Sequence, residues 1–169
     1  GIDFILDVLN RHGLRSTFFV DAMGATRWGD AQVRMICELI QAAGHEVQLH
    51  LHPVVARIDN FKDDLDILWR HDRDTQARLI GLGVDILRRC GVSRVTAFRA
   101  GALAANEDTL WAMEQHGLPI GSNRDRDLKS SLESKLNGVF PVVNDISRRG
   151  SITDIPVSTL RSGLPWIDG

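Results

Sequence analysis

The chain has 169 residues, of which 43% are hydrophobic and 25% charged, and its formal net charge is -2. This length predicts a single domain over residues 1–169, because a chain of this size can bury a sizeable core. The near balance of charge argues against a nucleic-acid-binding protein, which usually carries a strong basic excess. No apolar run approaches the roughly 18 residues that a membrane span needs.

No targeting segment is recognisable, which favours a cytoplasmic location. The chain begins at Gly1 inside a predicted helix and lacks an initiator Met. We therefore expect the domain to be incomplete at both ends, and a signal lost with the missing part remains the alternative.

Helical and extended patterns alternate along the chain. In chain order we predict a helix over 3–12, a strand over 16–20, a loop over 24–29, a helix over 30–43, a strand over 46–52, a charged and solvated loop over 54–73, a helix over 75–90, a strand over 95–101, a helix from the cap Asn106 to 116, and strands over 119–122, 139–143 and 152–158. The helices carry apolar residues at helical spacing, and the strands are rich in β-branched and aromatic residues. Such alternation is typical of parallel strands joined by crossover helices.

Two architectures fit this order of elements. A closed (β/α) barrel takes about 250 residues, so about six strands predict an α/β fold that forms a partial or distorted (β/α) barrel. A doubly wound open sheet is the alternative. The glycine-rich phosphate motifs of that class, GxGxxG and GxxxxGK[ST], are absent from the sequence.

Two histidines share one face of the predicted strand 46–52. His50 and His52 alternate with apolar residues, so they project together near the carboxyl end of the strand, where barrels and open sheets place their chemistry. Two imidazoles on one face can converge on one metal ion, and two histidines that line a polar interior without metal are the alternative. Gln48, one step deeper on the same face, is predicted to support His50.

Arg99 and Asp21 end two other predicted strands and are further candidate site residues. Arg99 would face the interior of a barrel, where an unpaired charge is costly. It therefore needs an anionic partner, either a structural carboxylate or a catalytic one. Asp21 is either a site residue or a cap of the loop that begins there.

Three longer patterns follow one another along residues 1–158. They are ILDVLNRHGLRSTFFV, GHEVQLHLHP and FRAGALAANEDTLWAMEQHGL, with DIPVS after them. Together they resemble the first helix and second strand, the histidine motif, the arginine motif and a later strand of the polysaccharide deacetylase family, carbohydrate esterase family 4. Members of this family adopt a distorted (β/α) barrel and use a divalent metal, usually zinc, to remove acetyl groups from N-acetylated sugars.

The resemblance implies roles for three of the candidate residues. His50 and His52 would hold the metal, and Arg99 would orient and ionise the carboxylate base. The usual HxxxH spacing would place the second ligand at Val54, so that ligand shifts to His52, as in a subgroup with HxHP and FRAG motifs.

The resemblance also implies groups outside the sequence in hand. The base and an aspartate ligand would lie on a strand before Gly1, and the general-acid histidine on a strand after Gly169. Asp21 or Asp154 could complete the site from within the chain instead. Because the base, one ligand and the acid would lie outside them, we expect these 169 residues alone to have little or no deacetylase activity.

The sequence thus predicts a metal-dependent hydrolase of C–N bonds, with an N-acetylated glycan or a small amide as substrate. Other metal-dependent amidohydrolases form the first alternative, since some carry an HxH motif on a barrel strand. A non-catalytic barrel that binds carbohydrate is the second. Zinc is the favoured metal, although two imidazoles and a carboxylate also suit iron, cobalt or nickel.

Overall fold

One sheet organises the protein. The computed structural model describes residues 1–58, 61, 66–124, 134–136, 139–140 and 145–157. The strands of this part are β1 (Thr17–Asp21), β2 (Glu46–Leu51), β3 (Ala97–Ala100), β4 (Ile120–Gly121), β5 (Ser147–Arg149) and β6 (Ile152–Asp154). They lie in the order β1-β2-β3-β4-β6-β5, and each neighbouring pair is parallel except β5 and β6. The predicted parallel pairing of the strands near 16–20, 46–52 and 95–101 is confirmed.

Helices connect most of the parallel strands. They are α1 (Ile2–Arg11), α2 (Gly24–Trp28), α3 (Asp30–Ala42), α4 (Arg73–Arg89) and α5 (Glu107–Gln115). The predicted cap of α5 is confirmed, because the Asn106 side chain accepts a hydrogen bond from the amide of Thr109 at 3.0 Å. Helix α4 begins two residues earlier than predicted, because the carboxylate of Asp72 accepts from the amide of Thr75 at 2.8 Å.

Two local predictions are wrong. Residues 24–29 were expected to form a loop, but they contain the single-turn helix α2. Strand β5 was not expected, because it is short and carries exposed arginines; it pairs with β6 through a tight reversal at Gly150, whose φ is 57°. The predicted strands over 139–143 and 152–158 fall partly outside the described residues.

The main core lies between the sheet and the helices. Val47, Leu49 and Leu51 of β2 are almost fully buried, and their face of the sheet packs against α3 and α4. Helices and strands contribute further core residues, which include Cys37, Ile40, Leu79, Ile80, Leu87, Phe98 and Met113. Since side chains alternate along a strand, this arrangement assigns His50 and His52 to the opposite, inner face of β2.

The segment that follows β2 is not simply a solvated loop. It contains short 3₁₀ helices at Pro53–Val55 and Leu68–Arg70. Leu68 and Ala56 are buried in the main core. Apolar anchors therefore hold parts of this charged segment against the protein.

Within the described residues the sheet is open, with β1 and β5 at its edges. This is the partial (β/α) arrangement that the sequence predicts. None of the helices in the described part is long and apolar enough to cross a membrane.

Candidate metal centre

The sheet register places three predicted site residues in one row. Asp21 of β1 is the partner of His50 on β2, and His50 is the partner of Arg99 on β3. Neighbouring strands lie about 4.8 Å apart, so the row brings residues from three sequence segments together. Each of these residues lies at or near the carboxyl end of its strand, which is where parallel α/β folds build their sites.

The rings of the two histidines converge. His50 Nε2 and His52 Nε2 are 3.0 Å apart, and the ring planes meet edge to face at 85°. His50 lies on β2, and His52 follows the last residue of that strand. The predicted convergence of the two imidazoles is therefore present.

The other nitrogen of each ring is already engaged. His50 Nδ1 donates to the backbone carbonyl of Arg99 at 2.6 Å, and His52 Nδ1 donates to the carboxylate of Asp66. A carbonyl and an ionised carboxylate can only accept hydrogen bonds, so both protons lie on Nδ1. In the neutral rings, both Nε2 atoms then carry lone pairs that face each other.

A cation fits between two such lone pairs. Tetrahedral zinc with Zn–N bonds of 2.0–2.1 Å separates two ligand nitrogens by about 3.3 Å, close to the 3.0 Å found here. Burial lowers the pKa of His50, which favours the neutral form that binds metals. The two histidines thus have the donor chemistry that a divalent metal requires.

The described residues bring together two candidate metal donors, not three. Within these residues no group of three or more His, Cys, Asp or Glu side chains could hold a metal ion. Asp21 lies next to His50 in the register, but its Oδ1 accepts from the amide of Met23 at 2.9 Å. This is the loop cap that the sequence allowed. Burial lowers the pKa of His50, and the negative charge of Asp21 partly offsets this effect by raising it.

Asp154 does not complete the site. It shares its row with Gly121 of β4, and a Cβ at Gly121 would contact Asp154 together with Met113 of α5. Asp154 therefore lies on the helix-covered face of the sheet, whereas His50 lies on the other. There it accepts from Arg124 Nε at 2.6 Å, in an ion pair that is fully buried.

The direct contacts of Arg99 in the described part of the chain are with uncharged groups. Its Nη2 donates to Ser122 Oγ at 2.7 Å, and its guanidinium lies 4.4 Å from the ring centroid of Phe19. No carboxylate among the described residues forms an ion pair with Arg99. The anionic partner expected from the sequence is therefore not found in this part of the chain. Arg99 lines a cleft of roughly 370 Å³. Its pKa is lowered because partial burial removes water from around the charged guanidinium.

The predicted support of His50 by Gln48 is wrong. Gln48 Oε1 accepts from the amides of Thr96 and Ala97 at 2.8 and 2.7 Å. Its Nε2 donates to Glu46 Oε1 at 2.9 Å. Gln48 thus fixes the start of β3 against β2 and helps to set the register that aligns His50 with Arg99.

Sequence reasoning missed two residues that contact His52. Asp66 lies in the charged segment that was expected to be solvated, and its carboxylate accepts from His52 Nδ1. Gly101 is the last residue of the FRAG pattern, and a Cβ there would lie 2.6 Å from His52 Nδ1. The FRAG pattern points to Gly101, whereas nothing in the sequence separates Asp66 from the other acidic residues around it.

A largely parallel α/β sheet with paired histidines at the carboxyl end of one strand places the chain among proteins with a partial (β/α)-barrel fold. The sequence profile of the polysaccharide deacetylase family matches residues 2–121. The chain belongs to this family. No curated protein sequence is significantly similar to it.

Solved structures show the same fold. A Mycobacterium smegmatis protein assigned as a polysaccharide deacetylase superposes with a TM-score of 0.57 at 22% identity, over 90% of this chain and 44% of that one. A family 4 carbohydrate esterase from Streptomyces lividans, solved with acetate, gives a TM-score of 0.54 at 15% identity, over 90% of this chain and 69% of that one. The chain thus spans less than half of the mycobacterial protein and about two thirds of the esterase.

Proposed function

We propose that the chain provides the histidine and arginine part of a metal-dependent deacetylase that acts on N-acetylated carbohydrate. The observation that carries this proposal is the pair of Nε2 atoms 3.0 Å apart, each left with a lone pair because Nδ1 is the donor. Membership of the polysaccharide deacetylase family supports the reaction class. The acetate in the Streptomyces lividans esterase is the product expected of such a reaction.

In this proposal each residue has a separate task. His50 and His52 hold the metal, most simply zinc, which when bound supplies Lewis acidity toward water and the acetyl carbonyl. The half-buried guanidinium of Arg99 orients the carboxylate base that the family resemblance implies, in a cleft where water screens charge weakly. Asp21 places a negative charge beside His50, which favours a cation at this end of the sheet.

Acetate release from N-acetylglucosamine oligomers tests the proposed reaction. For a protein that combines this chain with the base and the aspartate ligand that the family resemblance implies, we expect release in the presence of zinc, loss after removal of zinc by a chelator, and recovery when zinc is added back. Release from simple amides but not from the oligomers would favour the amidohydrolase alternative. Binding of the oligomers without acetate release and without bound metal would favour the carbohydrate-binding alternative.

Replacement of Arg99 with methionine is expected to lower kcat/KM by about 10–100-fold, the usual cost of losing a group that orients a metal site or its base. Methionine keeps an apolar side chain of similar length next to Phe19 but loses the charge and the hydrogen bond to Ser122. Zinc content and the urea midpoint should stay close to those of the parent protein. Loss of folding without a specific kinetic effect would instead identify Arg99 as a structural residue.

Replacement of Gly101 with alanine is expected to weaken zinc binding by about 10-fold, by disturbing the orientation of a metal ligand. The added Cβ would meet His52 Nδ1 at 2.6 Å and the carbonyl oxygen of Leu51 at 3.0 Å, so the imidazole must move. Isothermal titration with zinc measures the effect. Gly24→Ala is the matched control, since its Cβ would make only ordinary 3.5 Å contacts with Trp28, and equal affinities in the two variants would contradict the prediction.

A further inference from the structure

We infer that Asp66 is a positioning residue that fixes the ring and tautomer of His52; the inference rests on the proposed metal-binding role of His52. The carboxylate of Asp66 makes two contacts around this histidine. One oxygen accepts from His52 Nδ1, and the other accepts from the amide of Val54 at 3.3 Å. The carboxylate therefore connects the imidazole to the first turn of chain after β2.

The two histidines are held in different ways. The ring of His50 is fixed by a backbone carbonyl, that of Arg99, which is set by the pairing of β2 with β3. The ring of His52 lies just beyond β2, and its Nδ1 is held by a side chain 14 residues further along the sequence. A single substitution can remove the second support but not the first.

The backbone of Asp66 supports a specific role for this contact. Its φ is 57°, in the left-handed region that residues other than glycine seldom adopt. Such conformations cost free energy and persist where the surroundings require them. The Asp66 side chain is 29% exposed, and in this backbone conformation its carboxylate contacts both His52 and the amide of Val54.

The contact decides which nitrogen of His52 can bind a cation. An ionised carboxylate only accepts hydrogen bonds, so it holds the proton on Nδ1 and leaves the lone pair on Nε2, toward His50. A carboxylate on the far nitrogen also strengthens an imidazole as a metal ligand. Without Asp66, His52 is free to adopt the other tautomer, in which the proton lies on Nε2. This N–H then donates to His50, and Nε2 has no lone pair left for a metal.

The test compares the parent protein with Asp66→Ala and Asp66→Asn. Long-range ¹H–¹⁵N spectra of the metal-free protein report the tautomer of His52, and zinc titration reports affinity. For Asp66→Ala we expect His52 to shift from the Nδ1–H form toward the Nε2–H form and zinc affinity to fall by about 10–100-fold. Asp66→Asn keeps an acceptor oxygen but not the charge, so it should preserve the tautomer and lose less affinity.

Asp72→Ala is the matched control. Asp72 lies on the same segment and caps α4 through the amide of Thr75, so this variant reports general loosening of the segment. It should leave both readouts unchanged. Unaltered ¹⁵N shifts of His52 in Asp66→Ala, or equal changes in Asp72→Ala, would overturn the inference. Failure of the parent protein to bind zinc would refute the proposed metal site, while the tautomer in the metal-free protein still decides whether Asp66 fixes His52.

Discussion

Replacement of both His50 and His52 with alanine is expected to reduce bound zinc to the background of the buffer. Each ring contributes one lone pair to the same point, because each Nδ1 is occupied by an acceptor. Among the described residues no group of three or more His, Cys, Asp or Glu side chains could take the ion instead, and the number of ligands largely sets zinc affinity. Metal analysis after dialysis against zinc, together with acetate release, measures the effect.

Removal of two other histidines provides the control. His12 and His116 are the C-terminal cap residues of α1 and α5, so the His12→Ala/His116→Ala variant has the same change in composition without touching the converging pair. It should bind zinc like the parent protein. Unchanged zinc stoichiometry in the His50→Ala/His52→Ala variant would place the metal site elsewhere.

Replacement of Asp154 with alanine is expected to lower the free energy of unfolding by about 3–5 kcal/mol, the usual cost of removing one partner from a buried ion pair. Both side chains of the Asp154–Arg124 pair are fully buried. Asp154 Oδ1 also accepts from the amide of Asn123 at 3.3 Å. Urea denaturation followed by circular dichroism measures the change.

Asp7→Ala is the control for loss of an ion pair at the surface. Asp7 pairs with Arg11 one turn away on α1, and both side chains are more than half exposed, so the expected cost is about 0.3–0.5 kcal/mol. The Asp154→Asn variant keeps the shape of the side chain. Its folded fraction should bind zinc with the same affinity as the parent protein. Reduced zinc binding by the folded Asp154→Asn protein would return Asp154 to the list of candidate ligands.

Local patterns in the sequence were sufficient for the order of most elements. Strands such as 16–20 and 46–52 are marked by short-range alternation and by β-branched or aromatic residues, and caps such as Asn106 act over three or four residues. Helix α2 and strand β5 were missed because each is too short to show a period. Their formation depends on neighbours that are distant in sequence, such as β6 for β5.

The sequence by itself determined the polar face of β2 and the pairing of two histidines on it, because side-chain alternation is a property of the strand alone. The tertiary structure decided which atoms those residues meet. Asp66 reaches His52 across 14 residues, and Ser122 reaches Arg99 across 23. Gln48, expected beside His50, is instead bound to the start of β3. Contacts of this kind depend on the register of the sheet and on segments that are distant in sequence but close in space. Local periodicity encodes neither of them.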